Sequence, residues 1–302
     1  MRAGFVAIAG RPNVGKSTLL NRILGEHVAI VSPRPQTTRT RILGVHHAPE
    51  AQIAFFDTPG LHRAAGVLNR RLVEVALRTL AEVDAVLLLV EAGTGPGGEV
   101  EVGEVTRWVI EEVARAGKPV VLGVNKMDRA PRPSLLPVIA AYQDLHPWAE
   151  VVPFSALTGE NVDLLLQALA RHLPQVEAPP FPPDVLTDQA ERTLAAEYVR
   201  EQVMLLTRQE IPYAVHVEVE AFDESERRQG GGLVRIAAAV LVERESQKGI
   251  VIGKRGAMLK RVGSAARRRL ERLLGCKVFL ELAVRVDQRW SERPAALRKL
   301  GL

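Results

Sequence analysis

The 302-residue sequence has a single cysteine, Cys276. One thiol cannot close an intramolecular disulfide, and it leaves a zinc site of the usual spacing without a second sulfur; a buried, inert thiol is the expectation. Long apolar runs are also missing. Nothing approaches the roughly 18 consecutive apolar residues that a membrane-spanning helix needs. The opening Met1-Arg2-Ala3-Gly4 enters a strand-like segment without signal-peptide anatomy, so the expected location is the cytoplasm. No Ser-His-Asp or paired-carboxylate arrangement is supported. His46 and His47 are adjacent on a strand end and point to opposite faces, so they cannot share a metal and are expected to be exposed. Trp108, Trp148 and Trp290 are expected to pack rather than bind.

What is present suits two ordinary cores: 47% apolar and 25% charged residues. The net charge of +5 is unevenly placed. Residues 1–183 carry 18 basic and 18 acidic side chains, and residues 184–302 carry 22 and 17. From Lys248 to Lys277 ten basic residues face one acid, Glu271, a local field that attracts polyanions.

The border between the halves is rich in proline. Residues 174–183 read Pro-Gln-Val-Glu-Ala-Pro-Pro-Phe-Pro-Pro, which predicts an extended, semi-rigid linker between a first domain at 1–173 and a second at 184–302. In the first, apolar runs at 5–9, 53–56, 85–90, 120–124 and 151–154 alternate with helical patterns at 68–80, 100–115 and 162–172. This alternation predicts an α/β domain, a mostly parallel sheet with helices on both faces. The second reads as helix 186–207, strands 213–221 and 233–243, two helices around a Gly-x-x-Gly turn at 246–274, and strand 277–286, an α+β order. Gly230-Gly231-Gly232 reads as a hairpin tip.

The strongest chemistry lies at the first strand-to-helix junction. Gly10-Arg11-Pro12-Asn13-Val14-Gly15-Lys16-Ser17 fits G-x-x-x-x-G-K-[ST] in the context that motif requires. Its backbone N–H groups and the helix N-terminus cradle phosphates; Lys16 neutralises the β and γ phosphates, and the Ser17 hydroxyl ligates Mg²⁺. Candidate nucleotide contacts here are Gly10, Asn13, Val14, Gly15, Lys16, Ser17 and Thr18. Asp57-Thr58-Pro59-Gly60 follows a strand, where Asp57 can hold Mg²⁺ through water. Asn125-Lys126-Met127-Asp128 lets the Asp128 carboxylate accept both the ring N–H and the amine of guanine, with the Lys126 stem over the base. Ser155-Ala156-Leu157 closes the next strand and resembles the segment whose backbone N–H contacts the guanine oxygen.

Between the P-loop and Asp57 lies Pro35-Gln36-Thr37-Thr38-Arg39, in the place of switch I. Thr38, with Thr37 as the alternative, is the candidate that caps Mg²⁺ and senses the γ-phosphate. The catalytic set is therefore Lys16, Thr38, Asp57 and Gly60, and the metal ligands Ser17, Thr38 and Asp57. Leu61 stands where many signalling GTPases place a water-orienting glutamine. Unaided hydrolysis is expected to be slow, assisted by a partner, by K⁺ near Asn13, or by a repositioned water. In the second half, Val251-Ile252-Gly253-Lys254-Arg255-Gly256 has the form of the loop with which a type II KH fold clamps about four nucleotides. Candidate RNA contacts are Ile252, Gly253, Lys254, Arg255, Gly256, Lys260, Arg267 and Arg268. Gly253→Asp is expected to block RNA while leaving the fold intact.

With these motifs in view, the chain resembles the Era family along nearly its whole length: one P-loop GTPase domain, then one type II KH domain. The marks are residues 10–19, 35–39, 57–60, 125–128 and 251–256. The resemblance implies GTP and GDP as ligands and binding of the 3′ end of 16S ribosomal RNA during 30S subunit maturation. It also implies some association with the inner membrane surface. A nucleotide-gated scaffold whose hydrolysis is incidental is the other function class. Glu91 stands where relatives often have Asp, and together with Gly230–Gly232 it is expected to touch no site.

Overall fold

A computed structural model of the chain describes residues 1–34, 37–63, 66–93, 100–207, 211, 215–228 and 232–299. The chain divides into two compact units, one ending at Asp188 and one beginning at Gln189.

In the first unit the order is β1 (Arg2–Gly10), α1 (Lys16–Leu24), β2 (Ile42–Ala48), β3 (Ala51–Asp57), α2 (Val67–Glu82) and β4 (Ala85–Glu91). Then come α3 (Glu104–Arg115), β5 (Val120–Asn125), α4 (Leu135–Gln143), β6 (Glu150–Pro153) and α5 (Val162–Arg171). The sheet runs β2-β3-β1-β4-β5-β6. Neighbours are parallel from β3 through β6, and β2 is antiparallel to β3. All seven residues of β3 and all six of β5 are buried, as expected of strands covered on both faces. α4 was not among the expected elements, and β2 was expected only as the strand end at His46 and His47. The helix expected from residue 100 starts at Glu104, because Gly103 before it is extended. Parallel order brings residues 10–16, 57–60, 125–128 and 155–157 to one sheet edge, where open α/β folds take ligands.

The proline-rich segment is not a free linker. Val176 N–H donates to Met1 O, and Gln52 exchanges two hydrogen bonds with the backbone of Phe181, at 2.8 and 2.9 Å. Phe181 meets Phe5 edge-on, 6.1 Å between centroids. Val45 N–H donates to Leu186 O, and Thr187 Oγ1 to Leu43 O. The chain thus follows β2 and β3 as a strap of the first unit up to Asp188. This explains why the helix expected from 186 begins only at Glu191. His46 and His47 are half-buried rather than exposed, and a His47–Val185 O contact at 2.9 Å belongs to the strap. Burial first, then the His47 charge, lowers the His46 pKa.

The second unit runs α6 (Glu191–Leu206), β7 (His216–Glu226), β8 (Leu233–Val242), α7 (Glu245–Ile252), α8 (Ala257–Leu274), β9 (Lys277–Val286) and α9 (Pro294–Lys299). β7 is antiparallel and β9 parallel to β8. Val199 and Val203 of α6, Val217 of β7, Val240 of β8, Val251 of α7 and Val262 of α8 share one core. Up to β9 the order is helix-strand-strand-helix-helix-strand, as the sequence predicts; α9 is additional. Gly230 and Gly231 lie outside the described residues. Cys276 is only half-buried, beside the left-handed Gly275 that ends α8.

Candidate functional site

The P-loop takes its shape from three left-handed or near-left-handed residues: Gly10 (φ 144°), Asn13 (φ 65°) and Gly15 (φ 101°). A Cβ on Gly15 would lie 2.2 Å from Asn125 Nδ2, so glycine is required for the phosphate loop to meet the base motif. Lys16 opens α1 and curls back, donating to Gly10 O at 3.3 Å and Arg11 O at 3.0 Å. Burial lowers its pKa to about 8, with the Asp57 charge opposing; phosphate oxygens supply the negative charge that such a buried ammonium needs.

Three oxygens converge beside it. Ser17 Oγ donates to Asp57 Oδ2 at 2.6 Å, Thr38 Oγ1 donates to the same atom at 3.0 Å, and the two hydroxyls are 3.0 Å apart. Burial raises the Asp57 pKa against the opposing effects of Lys16, Ser17 and Thr38. Asp57 Oδ1 is buried without a hydrogen-bond partner among the described residues. A cluster of hard oxygens with one carboxylate atom unsatisfied fits Mg²⁺ and its waters. Thr37 does not join the cluster: its Oγ1 bonds Arg34 O at 2.8 Å. Pro35 and Gln36 of this segment lie outside the described residues. Ser17→Ala removes the hydroxyl that meets Asp57 Oδ2, the group expected to ligate Mg²⁺, so the GTP affinity of that variant in Mg²⁺ should drop to the value measured with EDTA. Retention of a Mg²⁺ effect, titrated by fluorescent-nucleotide displacement, would remove Ser17 from the metal site.

At the base end Asn125 is buried and bridges two loops. Its Nδ2 donates to Val14 O at 2.8 Å, and its Oδ1 accepts Ala156 N–H at 2.9 Å. Ser155 Oγ donates to Asp128 Oδ1 at 2.6 Å, which orients the carboxylate. A cavity of about 360 Å³ runs past Gly15, Lys16, Ser17 and Thr18 to Lys126. Glu91, expected to touch no site, ion-pairs with Lys126 and steers the stem assigned to the base plane. Arg129 also lines the cavity and no motif singled it out. In switch II, Gly60 packs on Pro12, Leu61 N–H donates to Gly10 O, and the Leu61 side chain is fully buried in the core. It cannot face a water at the γ-phosphate.

In the second unit Gly253 (φ 71°, ψ 175°), Arg255 (φ 53°) and Gly256 (φ 78°) form the turn between α7 and α8, with Lys254 and Arg255 exposed. A groove of about 340 Å³ lies between α8 and β9, lined by Gly256, Lys260, Gly263, Arg267, Phe279 and Leu282 among others. Lys260 and Arg267 therefore reach it. Ile252, half-buried at the end of α7, and Arg268, exposed on α8, do not line it. Arg269 leaves the basic face to pair with the buried Glu201. Sequence reasoning passed over Phe279, whose ring is half-exposed in the groove with the Arg235 guanidinium 5.8 Å from its centroid. An aromatic in a basic groove is a stacking platform for an unpaired base.

A P-loop GTPase domain followed by a type II KH domain is the class that this fold and these two sites define. The comparisons agree. Residues 5–126 match the family of 50S ribosome-binding GTPases, and residues 210–291 match the KH domain family. GTPase Era of Geobacter metallireducens is 55% identical over 300 residues, covering 99% of this chain and 97% of that protein. GTPase Era of Geotalea uraniireducens is 51% identical with the same coverage. A solved structure of Era in complex with MgGDPNP and nucleotides 1506–1542 of 16S ribosomal RNA has a TM-score of 0.92 at 40% identity, covering 100% of this chain and 99% of that one. A variant of Aquifex aeolicus Era bound to GDP and AlF₄⁻ has a TM-score of 0.91, again at 40% identity and with the same coverage. The chain belongs to the GTPase Era family. It is a GTPase, converting GTP to GDP and phosphate.

Proposed function

We propose that this GTPase binds the 3′ end of 16S ribosomal RNA through its KH domain and, in the cytoplasm, assists maturation of the 30S subunit, with nucleotide setting its RNA affinity. The observation that carries this reading is that a relative matching the chain end to end holds MgGDPNP and that RNA segment together. In this reading Lys16, Thr38, Asp57 and Gly60 serve hydrolysis; Ser17, Thr38 and Asp57 serve Mg²⁺; and Asn125, Lys126 and Asp128 with residues 155–157 serve guanine. Gly253–Gly256, Lys260 and Arg267 hold phosphates while Phe279 stacks a base. Ile252 supports the turn from α7, and Arg268 adds to the attracting field.

Two finer points belong to the same proposal. Asn13 Nδ2 donates to Pro33 O at 3.0 Å, and in this reading its Oδ1 takes K⁺ beside the phosphates. Among the described residues no helix is long and apolar enough to cross a membrane, so association with the inner membrane surface would be peripheral.

The test is turnover. With Leu61 buried, GTP hydrolysis by the intact protein should be slow alone. It should rise at least about tenfold with an oligonucleotide of the 16S 3′ end, the scale at which coupled sites influence one another. A flat rate, with RNA still bound, would replace the switch by a scaffold whose hydrolysis is incidental.

A further inference from the structure

Six residues beyond the P-loop lysine, α1 carries a cation that the phosphate chemistry does not use. Arg22 lies in the last turn of α1. Its Nε donates to Ala156 O at 3.3 Å and its Nη2 donates to Leu157 O. Neither partner is an acid, and among the described residues Arg22 makes no ion pair. A planar guanidinium forked onto two consecutive carbonyls fixes a short stretch of backbone.

The stretch it fixes is the one facing guanine. The peptide unit joining Ala156 and Leu157 has its C=O on Arg22; because a trans peptide is planar, its N–H points the opposite way. The neighbouring N–H, of Ala156, is already given to Asn125 Oδ1 at 2.9 Å. Leu157 N–H has no partner among the described residues. It is the donor of this loop left for a base. A guanidinium on the carbonyl also polarises the peptide and strengthens its N–H as a donor.

We infer that Arg22 is a positioning residue for guanine recognition: by holding the Ala156 carbonyl it aims the Leu157 N–H at the oxygen on the six-position of the base. The inference rests on the guanine reading of Asp128 and residues 155–157. It assigns to the phosphate-binding helix a second task at the other end of the nucleotide.

The probe pair is GDP and 6-thioguanosine diphosphate, which keeps the ring N–H and the amine that Asp128 accepts but offers sulfur, a weak acceptor, at the six-position. Affinities are measured on the full chain with Mg²⁺. The wild-type protein should prefer GDP about tenfold, the worth of one good hydrogen bond. In Arg22→Ala the GDP affinity should fall about tenfold, the thio analogue should change less than about twofold, and the preference should vanish. Arg22→Lys, a point charge that reaches one carbonyl, should lie between. Equal weakening of both nucleotides in Arg22→Ala would mean that Arg22 only braces the loop, and an unaltered GDP affinity would mean that it does nothing for the base; either overturns the inference. No preference in the wild-type protein removes the reading of residues 155–157 as the contact to the six-position, and this inference with it, whereas a wild-type preference that survives in Arg22→Ala removes the inference alone.

Discussion

Asp128→Asn should lower GTP affinity at least about 100-fold and make the protein prefer xanthosine triphosphate. The size follows from two hydrogen bonds between guanine and a carboxylate, each worth about 1.5 kcal/mol or more once the base covers them. Asp128 is exposed in the protein by itself, so the bound base supplies the cover. Ser155 Oγ, which donates to Asp128 Oδ1 at 2.6 Å, sets the orientation of the substituted amide. The amide oxygen stays with the Ser155 hydroxyl, and the amide nitrogen is turned to the base. Two donors of guanine then face a donor. Xanthine carries a carbonyl in place of the amine, so it accepts where guanine donates and recovers part of the loss. Competition of both triphosphates against a fluorescent nucleotide checks this. A GTP affinity within about threefold of wild type would refute the base assignment.

The motifs of this candidate site stand out in the sequence because their determinants are local. A glycine that must be left-handed, a lysine next to it and a serine after that announce a phosphate loop in eight residues, and a buried strand before them fixes where the loop sits. The same holds for residues 251–256, flanked by two helices. Legibility ended where a role depends on a partner far along the chain. Thr37 and Thr38 are equivalent in sequence, and only the fold shows that Thr38 meets Ser17 and Asp57 while Thr37 turns to Arg34. Glu91 read as a harmless variation because its pairing with Lys126 spans 35 positions. Arg22 belongs to no motif; its carbonyl partners are 134 and 135 residues away.

The strap shows the same limit. Prolines at 179–183 correctly exclude helix and central strand, but they do not say whether an extended segment is free. Gln52 and His47 decide that, two polar residues on strands whose side chains find the backbone of Phe181 and Val185. Phe279 was missed for a related reason. An alternating strand such as β9 has an inner and an outer face, and a phenylalanine is assumed to lie inward until the fold shows it half-exposed beside Arg235.

Gly256→Asp should weaken RNA binding strongly while leaving both domains folded, and this variant separates RNA contact from turn geometry better than Gly253→Asp. The two glycines are not equivalent. Gly253 has φ 71° and ψ 175°, a region open essentially to glycine alone. A Cβ there would lie 2.7 Å from Met258 Cβ and 2.9 Å from Met258 N. Any side chain at 253 must therefore move the start of α8, so Gly253→Asp should lose RNA and also lower the melting temperature of the second unit, contrary to the expectation from sequence that the fold survives. Gly256 has φ 78° and ψ 6°, with nothing within 4 Å of an added Cβ. Aspartate enters that left-handed region at a cost of about 1 kcal/mol. Its carboxylate would then project at the mouth of the groove lined by Lys260 and Arg267, where phosphates must approach, adding like charge and bulk together. Affinity for a 16S 3′-end oligonucleotide should fall at least about 30-fold, since repulsion of phosphate adds to the loss of close approach. GTP affinity should stay at the wild-type value. Gly256→Asn carries the bulk without the charge and should fall in between, and higher salt should narrow the gap between the Asn and Asp variants. Wild-type RNA affinity in Gly256→Asp, with the melting profile unchanged, would take RNA binding away from this turn and from the groove beside it.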